Sequence, residues 1–438
     1  MGATTSKSQS NDSLERLARH SRERVVWLRV GQLADGSENR PLKNADIVFD
    51  ARQILFVGSQ PPTELLSPGQ SEPDAVLPEH TLLPCLIEAH AHLFLDGAPI
   101  NFEQRKQYLK QSNAWMLARA RLRWPRILAT GVGTVRDAGD NRGVGLALAQ
   151  EARSAVGDVA ATPWIDSPGA AIHHRGRYGS FMGEPIENFK TVEDCVAARV
   201  ATGADRIKLL VSGIINFKAG RVTAPPQMDV AEVSAIVHAA KQHGCQTFAH
   251  ASGTDGVENS IEGGVNSIEH GFFVTEDQLN RMRDRRIAWT PTFAPVQLQI
   301  DCAELMGWDS QVVGHLQRII DAHQQMLCLG HRKGVKILAG SDAGSCGVPH
   351  GVGLLTELCH MELAGMPSIA VLQSATGASA ETLEFAEKIG QIAPGYRSRM
   401  ILTRHDPLAT VANLHKEKTV LFDGAVVSSD GSVNTEGL

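Results

Sequence analysis

The sequence predicts an α/β chain, a (β/α)8 TIM-like barrel that carries a small discontinuous β-sandwich built from both chain ends. Three observations lead there. Strand-like and helix-like stretches alternate from about residue 81 to 390, the pattern of βα units around a parallel sheet. Short β-like runs split by turn residues precede that region and return after it. Several apolar runs end in a histidine, lysine or aspartate, and ligands on separate strands converge only if the strands run parallel around one axis.

The elements follow in chain order. Residues 1–20 are polar and rich in Ser and Thr, and read as a disordered leader. Residues 21–80 hold short β-like runs between Val25 and Gly58, and a Pro/Ser/Gly-rich connection from Pro61 to Pro73. The barrel is predicted over 81–390, with strands at 82–92, 133–137, 162–165, 206–211, 246–250, 267–270, 287–291 and 336–342. Helical periodicity fills the spaces between them, as in 230–243. Residues 391–438 return to β-like text with an Asp423-Gly424 turn, and are expected to complete the N-terminal unit.

The chain has 438 residues, 42% hydrophobic and 21% charged, which suits a barrel plus a second unit. A net charge of −6 without a basic stripe argues against a nucleic-acid partner. No apolar run approaches the ~18 residues that span a bilayer, so no membrane partner is expected. Seven cysteines without a Cys-x-x-Cys read as reduced thiols of a cytoplasmic protein. Met1-Gly2-Ala3-Thr4-Thr5-Ser6 fits the loose N-myristoylation pattern, which is short and common. The expected partner is a small-molecule substrate, with a homo-oligomer as the assembly.

Chemistry concentrates at six residues. His90 and His92 close the apolar run 82–92, and residues i and i+2 of a strand project to one face. Lys208, His250, His270 and Asp342 each close another short apolar or β-branched run. Imidazole and carboxylate suit zinc foremost, with iron, cobalt or manganese as alternatives. Lys208 is odd among them, because an ammonium would be repelled by cations. A neutral amine takes up carbon dioxide, and the resulting carbamate is an anion able to bridge two metals. His20, His80, His243, His315, His331 and His415 read as ordinary core or surface residues.

These motifs resemble the amidohydrolase superfamily, in the group of Xaa-Pro dipeptidase-like and imidazolonepropionase-related enzymes. The likeness runs from about Val25 to the C-terminus. It rests on the run ending at His90-Ala91-His92, on Gly131–Gly139, and on Gly203-Ala204-Asp205-Arg206-Ile207-Lys208. Ser267-Ile268-Glu269-His270-Gly271, Gly340-Ser341-Asp342-Ala343-Gly344, Gly347–Gly351 and Ile389–Gly395 match as well. The resemblance implies two divalent cations, His90, His92 and Asp342 on one, His250 and His270 on the other, and carboxylated Lys208 between them. It implies attack by a metal-bridging hydroxide on an amide-like C–N bond, with Asp342 moving the proton to the leaving nitrogen.

Departures from the family pattern bear on substrate. Cys85 replaces a usual Gly, and Arg399-Met400-Ile401-Leu402 replaces a usual Ala-Asp-Leu-Val run. Met228 falls where dipeptidase-like members place a hydrogen-bonding aromatic, and would form an apolar wall. In the loop 171–179, where the family shows Gly-His-Gly, His173 or His174 is expected to polarise the carbonyl, and Tyr178 to replace the donor missing at Met228. With His350, these form the expected pocket. A neutral N-aryl or N-alkyl amide, urea or carbamate is favoured, in outline like phenylurea and thiocarbamate hydrolases. An Xaa-Pro dipeptide or N-acyl amino acid is the alternative, with Arg175, Arg177 or Arg221 pairing its carboxylate. A mononuclear deaminase or cyclic-amidine hydrolase would carry a Glu soon after His250, where Ala251-Ser252-Gly253-Thr254 stands. A non-catalytic binding barrel would be expected to lose ligands, and six are retained.

Overall fold

The computed structural model describes residues 14–98, 102–154 and 162–429. The small unit begins with β1 (Val26–Leu33), β2 (Leu42–Phe49), β3 (Ile54–Gly58) and β4 (Ala75–Pro84). The larger unit carries β5 (Leu86–Ala91), β6 (Val132–Asp137), β7 (Trp164–Asp166), β8 (Ala171–His173), β9 (Gly183–Pro185), β10 (Arg206–Leu210), β11 (Gln246–Ala251), β12 (Ser267–His270) and β13 (Ala288–Thr290). The chain then returns to the small unit with β14 (Arg399–Thr403), β15 (Lys418–Phe422) and β16 (Ala425–Ser429).

Both chain ends share one seven-stranded sheet, ordered β16-β15-β14-β4-β1-β2-β3. It is one continuous ladder, in which β4 pairs parallel with β1 on one side and antiparallel with β14 on the other, so the expected sandwich is visible only in part. The expected turn joins β15 to β16, with Asp423 and Gly424 both at positive φ. A helix over residues 14–23 covers this sheet, so the leader is ordered from residue 14 onward. Leu14, Leu17, Ala18 and Ser21 lie at helical spacing and are buried, and the first three join the apolar cluster of the sheet. Residues 1–13 of the expected leader lie outside the described residues.

The predicted first strand, 82–92, divides at Cys85. Its first half stays in the small sheet as β4, and its second half enters the large unit as β5. The Cys85 N–H donates to Arg399 and the Leu86 N–H to Gly131, at 3.0 and 2.8 Å, so the chain changes sheets within one residue.

All strand pairs of the large unit are parallel, in two sheets ordered β13-β12-β11-β10-β8-β9 and β5-β6-β7. Among the described residues the ladder is not closed into one eight-stranded ring. On one side, Pro168 and Gly169, the latter at φ +61°, separate β7 from β8. On the other, the predicted strand 336–342 is irregular. Its backbone still ties β13 to β5, through Leu338 N–H to Trp289 O, Ala89 N–H to Ala339 O and Asp342 N–H to His90 O. Gly340 permits this approach, since a Cβ there would lie 2.8 Å from the His90 nitrogen. Helices such as Val144–Ser154, Val192–Ala201, Val230–Gln242 and Thr254–Gly263 lie between the strands. Among the described residues no helix is long and apolar enough to cross a membrane.

Candidate metal centre

His90, His92, Lys208, His250, His270 and Asp342 all line one cavity of about 260 Å³ at the strand ends. Hydrogen bonds at Nδ1 set the outer imidazoles. His90 Nδ1 donates to Glu269 at 2.6 Å, and His92 Nδ1 donates to the Gly139 carbonyl at 3.1 Å. Those partners only accept, so Nδ1 carries the proton and Nε2 keeps its lone pair. His270 Nδ1 meets Thr292 Oγ1 at 2.8 Å. His90 Nε2 and His92 Nε2 lie 3.5 and 3.4 Å from Asp342 Oδ1. The His250 and His270 rings stand 4.5 Å apart, and His270 is 5.0 Å from His90.

Four polar atoms of this set are buried without a hydrogen-bond partner: His90 Nε2, Lys208 Nζ, His250 Nε2 and Asp342 Oδ1. Buried polar atoms are almost always paired, so four orphans on one cavity fit ligands for a cation. One ligand atom from each of His90, His92 and Asp342 lies within 4.8 Å of the others. Electrostatics agree with ligand chemistry. Burial, reinforced by Lys208, pulls His92 and His250 down to about 3, which keeps both imidazoles neutral. Burial pulls the Lys208 amine down to about 7, and its Nζ sits 4.5 Å from the Phe248 ring centre. Burial pushes Asp342 up to about 7 against the Ser345 hydrogen bond. His270, Thr292 and Asp342 adopt φ of +69°, +54° and +54°, strained backbone gathered at one place.

Sequence reasoning left out the layer behind these groups. Glu269 accepts from His90, from Ser267 Oγ at 2.6 Å and from Arg136 Nη2, which is 2.9 Å from each carboxylate oxygen. Burial pushes Glu269 up, but Arg136 and Lys208 more than offset it and hold the carboxyl below its ordinary value. Glu88 accepts from the Ser341 N–H and hydroxyl at 2.8 and 2.6 Å, fastening β5 to the segment that carries Asp342. Glu269, Arg136 and Glu88 all stand inside recognised motifs, yet their partners lie up to 253 residues away.

Glu357, in the helix Val352–Leu363, accepts from the N–H groups of Phe293 and Ala294, both at 2.9 Å. Burial nonetheless pushes its carboxyl from 4.5 up to about 8. A carboxyl raised on folding stabilises the protein below its unfolded value, and that contribution is lost as pH rises through the folded value. Glu357→Gln should therefore flatten the fall in unfolding free energy between pH 4.5 and about 8. Denaturant titrations across that window check it, and parallel profiles for variant and parent would refute it.

The expected pocket residues divide. Tyr178 lines the cavity, its ring 5.2 Å from that of His250. His173 belongs to β8, is buried, and points Nδ1 at the His174 carbonyl at 2.8 Å; it is not among the lining residues. His174 is held between Glu187 and Glu232 at 2.7 and 3.0 Å. Arg175 and Arg177 are exposed and bond Asn188 and the Pro225 carbonyl, and Arg221 is exposed as well. His350 sits behind His92, donating Nε2 to its carbonyl at 3.2 Å. Met228 is 1% exposed and packs in the core. It precedes Asp229, the N-cap of the helix Val230–Gln242, where an apolar residue turns back onto the first helical turn. The neutral substrate expected from a Met228 wall thus loses its premise. Leu95, Leu210, Ile214, Ile215, Phe217, Phe272 and Val296 supply the apolar wall, and Arg105 supplies a cation.

The amidohydrolase family model matches residues 81–427. The chain belongs to the amidohydrolase family. Ochratoxinase from Aspergillus niger is 25% identical to it over 422 residues, covering 91% of this chain and 85% of that protein. The crystal structure of an Xaa-Pro dipeptidase with methionine bound in its active site aligns at a TM-score of 0.76 and 25% identity, over 92% of this chain and 100% of that one. Phenylurea hydrolase B aligns at 0.69 and 16% identity, over 91% and 96%, a likeness of fold. This amidohydrolase is a hydrolase acting on C–N bonds.

Proposed function

We propose that this amidohydrolase is metal-dependent and cleaves an amide-type C–N bond flanked by an apolar group. The observation that carries this reading is the set of four unpartnered buried atoms, His90 Nε2, Lys208 Nζ, His250 Nε2 and Asp342 Oδ1, on one cavity. In this reading His90, His92 and Asp342 hold one divalent cation, zinc foremost, and His250 and His270 hold a second. Lys208, as its carbamate, would supply an anionic ligand to both. Bound there, the cations would polarise the scissile carbonyl and lower the pKa of water to about 7.

The chain's own groups supply the rest. Asp342 accepts from Ser345 at Oδ2 and turns Oδ1 to the cavity, and this carboxylate takes the proton of the attacking water and passes it to the leaving nitrogen. Burial keeps the Tyr178 phenol protonated, and beside His250 it serves as a donor to the carbonyl oxygen. Glu269 and Gly139 hold His90 and His92 in one tautomer. The apolar wall takes an aryl or alkyl group and excludes water.

The test is metal analysis beside an activity screen. Protein purified with added zinc should hold close to two cations per chain and hydrolyse a member of a panel of dipeptides, N-acyl amino acids, anilides, phenylureas and carbamates. Chelation should abolish that activity and readdition restore it. Close to one cation per chain would favour the mononuclear deaminase-like reading. Full activity in metal-free protein would overturn metal dependence.

A further inference from the structure

We infer that Arg105 is the anion anchor of the cavity and selects substrates that carry a carboxylate beside their apolar group. This rests on the C–N hydrolase reading above and deepens it. Arg105 stands on the helix Phe102–Leu109 and lines the cavity with Asp342, Ser345 and Tyr178. One arm of its guanidinium is used: Nη2 donates to the Gly344 carbonyl at 2.9 Å, two residues beyond Asp342. The other arm is not, because Nη1 is buried without a partner.

Asp96 and Asp342 act on Arg105 through space, but neither forms an ion pair with it. Asp96 Oδ1 accepts from the Ala98 N–H, and Asp342 Oδ2 accepts from Ser345 while Oδ1 faces His90 and His92. Among the described residues Arg105 forms no ion pair. A guanidinium stays charged at any physiological pH, and leaving its Nη1 buried without a hydrogen-bond or ion-pair partner is costly. Tying down Gly344 alone would need only a neutral donor. The free arm and the fork geometry suit a carboxylate supplied by a ligand. The three arginines suggested by sequence cannot serve, since Arg175, Arg177 and Arg221 are exposed and absent from the lining.

The test compares N-benzoyl-leucine with N-isopentylbenzamide, which differ by one carboxylate. The metal-loaded enzyme should prefer the acid, chiefly through a lower KM. In Arg105→Met the ratio of kcat/KM, acid over neutral, should fall roughly 30-fold or more, the scale of removing one partner of a desolvated charge pair. Arg105→Gln, which keeps a donor for Gly344, should show the same fall, and Arg105→Lys a smaller one. A second readout needs no turnover: calorimetric titration with N-tosyl-leucine and its decarboxylated sulfonamide. The acid should bind more tightly, and only that advantage should vanish in Arg105→Met and Arg105→Gln. Turnover of both substrates with a ratio unmoved by either variant overturns the anchor and leaves the hydrolase reading intact. Turnover of neither substrate counts against the hydrolase reading, and the titration then judges Arg105 by itself. Equal binding of acid and neutral ligand, or no binding of either, overturns the anchor.

Discussion

Lys208→Ala is expected to lose most of its bound metal and to lower kcat by roughly 10³-fold or more, the upper range for removing one electrostatic contact to the reacting centre. Lys208 is 2% exposed, its Nζ has no hydrogen-bond partner, and it shares the cavity with four histidine rings and Asp342. An amine that only stabilised the fold would find an acceptor in such a place. Burial draws its pKa down to about 7, so a neutral amine is available to combine with carbon dioxide at ordinary pH. Acetate or propionate should partly restore metal and activity in Lys208→Ala by placing a carboxylate in the vacated space. Metal content per chain and kcat, with and without added acid, check this. Full metal and parental turnover in the variant without acid would exclude a bridging role.

Asp342→Asn should keep the fold while kcat falls about 10²-fold or more, the range typical of a general acid–base group. Asparagine preserves shape and an oxygen for Ser345, but it cannot hold and release a proton. Burial, with Glu269 nearby, pushes the Asp342 carboxyl up to about 7, and a cation beside it favours the anion. The parental kcat should therefore fall in acid, where Asp342 is protonated and can no longer accept, and this limb should lie below that value. The variant's residual rate should lack the Asp342 share of the limb. An Asp342→Asn protein that retains both its metal and most of its kcat would show that the proton travels by another route.

Strand ends were readable from sequence because the β period is local. His90 and His92 two residues apart, and His250 and His270 closing short apolar runs, place side chains at known ends of parallel strands, while Lys208 falls mid-strand in β10. Asp342 was reached through its Gly-Ser-Asp motif, although its segment is not a regular strand. The helix over residues 14–23 was missed because Ser and Thr dominate the preceding text, while the apolar spacing of Leu14, Leu17 and Ala18 was present to be read.

By itself, the sequence determined the alternating α/β order, the shared sheet of the two chain ends and the six polar residues that line one cavity. Only the tertiary structure decided what stands around them. Glu269 orients His90 across 179 residues, and Arg136 reaches Glu269 across 133. Met228 folds into the core under a helix N-terminus, and Arg105, on a helix without a recognised motif, comes to the cavity in its place. The reason is physical. Strand periodicity and turn chemistry act between near neighbours, whereas the choice of which cation or apolar side chain fills a cavity depends on long-range packing and on which polar atoms remain unpaired.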